Sequence, residues 1–214
     1  MISGHVFLSR REWVLLASLM TVVSALTAAE RERLIPLSVL AASPQAVGEA
    51  RLWSLLTSAL LVQSPLFWSL ASFALLGALT LEVCGTRVLW ISALAGHVAS
   101  TLVVYALLVL ARTFDPRAFE AVVSAPDYGV SAISAAWIGA LASVSWRARN
   151  RTARGKIATA LAVVATALFG WVLRGHVSFL DLEHVVAFCI GVGVAVRLFG
   201  TARATRLELT AARP

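Results

Sequence analysis

The sequence predicts an all-α polytopic membrane protein, a bundle of six transmembrane helices with an interfacial element in its first loop. Three observations predict it. The 214 residues are 59% hydrophobic and 14% charged, with a mean hydropathy of +0.85, which is too apolar for a soluble domain of that size. Six apolar runs, at 13–29, 66–81, 88–110, 129–146, 157–173 and 185–200, reach or approach the roughly 17–25 residues that cross a hydrocarbon core of ~30 Å. The arginines gather in short clusters between those runs, as topology signals do. The chain therefore reads as a single membrane domain over residues 1–214.

That distribution of charge also excludes one class of function. A net charge of +7 and a pI near 10.9 would suit nucleic acid, but the basic residues flank spans, so the expected partner is the lipid bilayer and nucleic acid is not. Cys84 and Cys189 fall in or beside spans, without CxxC or Cys/His ligand spacing, so neither a disulfide framework nor a metal site is expected. No cofactor is implied.

Taken in order, the first run follows Ser9-Arg10-Arg11-Glu12 and ends in Ala28-Ala29. It also resembles a twin-arginine signal peptide, but a retained helix is the preferred reading, because multispan proteins seldom need a removable signal. The long segment 30–65 contains an apolar stretch, 51–61, that opens with Arg51 and Trp53. That is the pattern of a half-embedded interfacial element with its arginine and tryptophan at headgroup level. Pro65 separates it from the second span by breaking a continuous helix. Residues 82–87 read as a tight turn into the third span. Residues 111–127, with Asp115-Pro116 and Ala125-Pro126, read as a polar connection with little regular structure.

Orientation follows from the lysines and arginines on alternate sides. One side collects twelve, five of them between Arg147 and Lys156, and the other six. The richer side is predicted to be cytoplasmic, with both termini, in a multi-pass protein of the cell membrane. Ser131 and His184 then each begin a span at its outer end.

Their depths agree. From Ser131 to Arg147 is 16 residues and from His184 to Arg197 is 13, or ~24 Å and ~20 Å of helix. Ser131, Ala135 and Gly139 fall at i, i+4, i+8, while His184, Ala187, Gly191 and Ala195 run down one side of the last span. Small residues on such stripes allow helix backbones to approach closely in lipid. If the stripes face each other, Ser131 and His184 meet, and the histidine can act as general base for a hydroxyl otherwise too weak to attack. The head of the helix at Ser131 offers N–H groups and a positive dipole end to an oxyanion. Asp181 and Glu183 are expected as solvent-facing rim charges, His97 as a structural mid-span residue and His176 as a solvated loop residue. A serine in this position is otherwise a cap or a packing residue.

With these residues in place, the chain resembles the rhomboid intramembrane serine protease superfamily over about 51–197. The rhomboid serine lies in Gly-x-Ser-Gly at the head of the fourth span, matched by Gly129-Val130-Ser131-Ala132, with Gly139 eight residues on. The rhomboid histidine opens His-x-x-Gly-x-x-x-Gly in the sixth span, matched by His184 through Ala187 and Gly191. Arg51-Leu52-Trp53, and Glu82 ahead of Gly85, are similar to the family's first-loop and second-span marks. The resemblance implies Ser131 and His184 as catalytic residues and a single-span membrane protein as substrate, and the alanine- and arginine-rich composition points to a bacterial inner membrane. It also has departures. Ala132 replaces the second glycine, and Ala135 the aromatic that stacks on the histidine. The second-span His-x-x-x-Asn pair that binds the oxyanion would fall at Leu66 or Phe67 and Leu70 or Ala71, and is absent. Gly129, Gln63, Ser64 and Ser69 are the nearest replacements, and each lost donor costs on the order of 10²–10³ in rate. A non-proteolytic rhomboid-like binder of transmembrane segments is the alternative. A transporter is disfavoured because no span carries paired charges or broken-helix repeats.

Overall fold

The computed structural model describes residues 10–62, 65–148 and 179–211. Among these the chain is helical, with no strand and one isolated antiparallel bridge, Ala42 to Asp127. The α-helices are α1 (Arg10–Arg31), α2 (Leu37–Leu40), α3 (Pro44–Gly48), α4 (Ser54–Thr57), α5 (Leu66–Cys84), α6 (Thr86–Phe114), α7 (Pro116–Ser124), α8 (Ser131–Ala148) and α9 (Phe179–Ala211), with a 3₁₀ turn at Ser58–Leu60. Among the described residues four segments are long and apolar enough to cross a membrane: Arg10–Arg31, Leu66–Cys84, Thr86–Phe114 and Asp181–Phe199. Ser131–Trp146 is a shorter apolar helix. By length and composition this is an all-α, multi-pass membrane protein. The expected span at 157–173 lies outside the described residues.

The chain divides into two compact units, Met1–Glu82 with Thr101–Ser131, and Val83–Ser100 with Ala132–Pro214. In the first, α1 has Glu12 in its first turn and Arg31 in its last, each complementing the helix dipole. It buries one stripe, Leu16, Val23 and Thr27, while Trp13, Val14, Leu15 and Val22 are exposed, as expected of a helix whose surroundings are lipid. Two of its exposed hydroxyls are satisfied within the helix: Ser18 donates to the Val14 carbonyl at 2.8 Å and Thr21 to Ala17 at 2.9 Å. The helix ends with Arg33 at φ 57° and the Leu34 N–H on the Ala29 carbonyl, a Schellman closure.

The first loop is built from short helices tied by side-chain caps. The Ser43 hydroxyl accepts the Ala46 N–H at 3.0 Å, with Pro44 at the first helical position. Side chains from residues 51–57 then satisfy the carbonyls of α2. Arg51 Nη1 donates to Ser38 at 3.1 Å, Trp53 Nε1 to Val39 at 3.2 Å and Thr57 Oγ1 to Leu40 at 2.8 Å. Thr27 of α1 accepts the Val62 N–H at 3.1 Å, which fixes the loop's far end. α5 begins at Leu66, immediately after Pro65, so the interfacial stretch and the second span are separate elements. Gly85, at φ 83°, makes the turn from α5 into α6.

The segment expected to be irregular, 111–127, is mostly helical, and that expectation is corrected. α6 runs on to Phe114, and α7 starts at once because Asp115 accepts the Ala118 N–H at 3.1 Å with Pro116 at the first helical position. An Asp-Pro pair that marks a turn in isolation here caps a helix.

In the second unit, α8 is enclosed by the first half of α6 and by α9. Trp137 is fully buried and its Nε1 donates to the Leu89 carbonyl at 3.0 Å. Contact is made at backbone level. A Cβ placed on Gly139 would overlap the Phe188 carbonyl, one on Gly191 the Ala136 carbonyl, and one on Gly96 the Ala136 Cβ. Ala132, Ala135, Ala136 and Ala187 form the buried cluster around these crossings.

Candidate functional site

Ser131 is the first residue of α8 and its side chain is exposed. The loop that delivers it is held by main-chain hydrogen bonds within the first unit. Asp127 exchanges both backbone bonds with Ala42, at 2.8 and 2.9 Å. The Gly129 N–H then donates to the Ser58 carbonyl at 2.9 Å, and the Val130 N–H to Leu61 at 3.1 Å. Gly129 sits at φ 138°, a conformation that disfavours any side chain, so the glycine two residues before the serine is required by the path of the chain. Its amide is committed to Ser58, so any local main-chain donors to an oxyanion come from the head of α8 itself.

His184 lies in α9 and is half-buried. Its neighbours correct one expectation. Asp181 and Glu183 are buried rather than solvent-facing, Glu183 with only 3% of its surface exposed. The reason is periodicity: Glu183, Ala187, Gly191 and Ala195 fall at successive i+4 positions, all on the buried face, and His184 lies about 100° round the helix at the edge of that face. The Glu183 carboxylate (Oε1) lies 3.5 Å from the hydroxyl of Ser100 on α6, whose single proton is shared with the carbonyls of Gly96 at 2.5 Å and His97 at 3.1 Å. His97 is itself buried. A polar cluster of α6 and α9 therefore lies inside the second unit, and its signal in the sequence was the shared i+4 register of Glu183 with the small residues.

Of the other candidates, Ala135 and Ala187 are buried in the alanine cluster, and Gly139 and Gly191 are the points where backbone meets backbone. Ser69 is half-buried in the first turn of α5, with its own N–H on the Pro65 carbonyl at 3.1 Å. Gln63, Ser64 and His176 lie outside the described residues. Ser131 closes the first unit and His184 belongs to the second, so each is described against its own surroundings. Cys84 is buried and Cys189 exposed, both as free thiols.

A scan against protein-family models finds none that matches the chain, and a search of curated proteins finds no match.

Proposed function

We propose that the chain is a rhomboid-like intramembrane serine protease of a bacterial cell membrane, with six spans and both termini cytoplasmic, in which Ser131 is the nucleophile and His184 its general base. The observation that carries the proposal is the crossing of α8 and α9. Its tightest points are Ala136 and Gly139 on one helix and Phe188 and Gly191 on the other. Counting back along each, Ser131 stands five residues before Ala136, and His184 four before Phe188, or ~7.5 Å and ~6 Å of helical rise. A six-span arrangement puts one span between them, and this reading requires the two helices to run the same way.

In this reading the Ser131 hydroxyl adds to the scissile carbonyl as His184 takes its proton. The imidazolium returns that proton to the departing amine, and water then hydrolyses the acyl ester with the same imidazole as base. The N–H groups at the head of α8 and its positive dipole end stabilise the oxyanion. The substrate is a single-span protein whose helix opens at its outer end, and helix-breaking residues there lower the cost of exposing backbone in the membrane.

A second reading, a non-proteolytic binder of transmembrane segments, is favoured by one observation: the amides of Gly129 and Val130 are spent on the carbonyls of Ser58 and Leu61. Residues 66, 67, 70 and 71 also supply no side-chain donor in place of the His/Asn pair. The two readings separate on the purified protein in bilayer, treated with a fluorophosphonate and with a single-span reporter substrate. The protease reading expects Ser131→Ala and His184→Ala each to abolish labelling and cleavage, with no further loss in the double variant, because the pair acts as one unit. Retained reporter association in both variants, with no labelling of wild type, would establish the binder instead.

A further inference from the structure

We propose that Tyr105 and Asp127 are positioning residues for Ser131, acting through a buried hydrogen bond that locks the loop ahead of α8. Asp127 is only 8% exposed and its carboxyl group accepts the Tyr105 hydroxyl at 3.0 Å, Tyr105 being 4% exposed on the second half of α6. Both residues and Ser131 belong to the first unit. A buried carboxylate is unfavourable unless it is hydrogen-bonded, so this pair resists the sliding of Asp127 along α6. Three residues separate Asp127 from Ser131, and three of the five residues 127–131 are pinned by their own amides: Asp127 on Ala42, Gly129 on Ser58 and Val130 on Leu61. With so little free chain, the location of the Asp127 side chain sets where the Ser131 hydroxyl stands.

The main-chain bonds form with almost any residue, whereas the Tyr105 contact depends on residue identity. That difference makes the two roles separable by substitution. The catalytic consequence rests on the reading of Ser131 as nucleophile, where a displacement of about 1 Å can cost on the order of 10² in rate. The positioning itself does not rest on that reading.

The test uses the full chain in bilayer with Cys84 and Cys189 replaced by alanine and a single reporter thiol introduced by Ser131→Cys or, as a reference on an exposed part of α6, by Thr113→Cys. The rate of reaction with a membrane-impermeant methanethiosulfonate is measured for each. Tyr105→Phe and Asp127→Ala are each expected to change the rate at position 131 by about 2- to 10-fold, the range that the net worth of one typical hydrogen bond controls. The double variant should show no further change, Asp127→Asn, which keeps an acceptor for the tyrosine, should restore the parent rate, and position 113 should be unaffected. An unchanged rate at 131 in both single variants, additive effects, or an equal change at 113 would overturn the proposal. Fluorophosphonate labelling of wild-type Ser131 is measured beside it: loss of labelling in Tyr105→Phe extends the lock to catalysis. Absence of labelling in wild type removes the protease reading and leaves the thiol rates to decide the lock.

Discussion

At the scale of the residue, two non-glycine positions carry strain that function does not obviously need. Arg33 and Ala50 adopt φ of 57° and 62°, each at the end of a helix closed by a six-to-one hydrogen bond, for Ala50 the Arg51 N–H on Ala46 at 3.0 Å. The left-handed conformation costs an L-residue about 1–2 kcal/mol, so Ala50→Gly is expected to stabilise the protein by about 1 kcal/mol net of the added unfolded-state freedom. Denaturant unfolding in detergent checks it, and a lower midpoint would show that the loop tolerates Ala50 without strain. Glu183 teaches a different point at this scale. Its neighbour His184 was legible as a candidate because histidine chemistry is rare in spans, while Glu183 read as a rim charge because it begins the helix. Only the i+4 alignment with Ala187, Gly191 and Ala195 reveals that it faces inward, and which of two adjacent polar residues takes the buried face depends on what packs there.

At the scale of the element, the crossing of α8 with α9 depends on the absence of side chains. The carbonyl of Phe188 occupies the space a Cβ on Gly139 would need, and the carbonyl of Ala136 that of one on Gly191. Apolar surroundings give these helices no hydrophobic incentive to associate, so close van der Waals approach supplies the attraction. Gly191→Leu is therefore expected to force the helices apart and to destabilise the protein by about 1–3 kcal/mol or more. Thermal unfolding in bilayer reads the loss, and any Ser131 labelling should fall with it; a variant with unchanged stability would mean that the crossing carries no energy. The small residues at 135, 139, 187 and 191 are visible as stripes in the sequence, but the backbone that each admits is visible only in three dimensions. The helix α7 was missed for a local reason: Asp115-Pro116 serves equally as a turn and as a helix start, and the hydrogen bond to Ala118 decides between them.

At the scale of the whole molecule, the expectation of a bilayer protein rests on length and hydropathy, and four helices meet that standard among the described residues. The proposed six-span topology puts the basic segment from Arg147 to Lys156 in the cytoplasm. A phosphatase or green fluorescent reporter inserted at residue 152 tests this, with fluorescence and no periplasmic phosphatase activity expected. The opposite pattern would invert the orientation and place the heads of α8 and α9 on the cytoplasmic side, away from the outer water assumed for hydrolysis.

The sequence by itself determined the solvent of this protein, the separate helices on either side of Pro65 and the presence of Ser131 at the head of an apolar helix. Those properties depend on composition, on proline's missing N–H and on local turn chemistry, all of which are written along the chain. Tertiary structure alone decided the burial of Glu183 against Ser100, the bond between Tyr105 and Asp127, and the commitment of the Gly129 amide to Ser58. Each of these is a polar group removed from water, and such a group must take whatever partner the fold brings to it across a large separation in sequence.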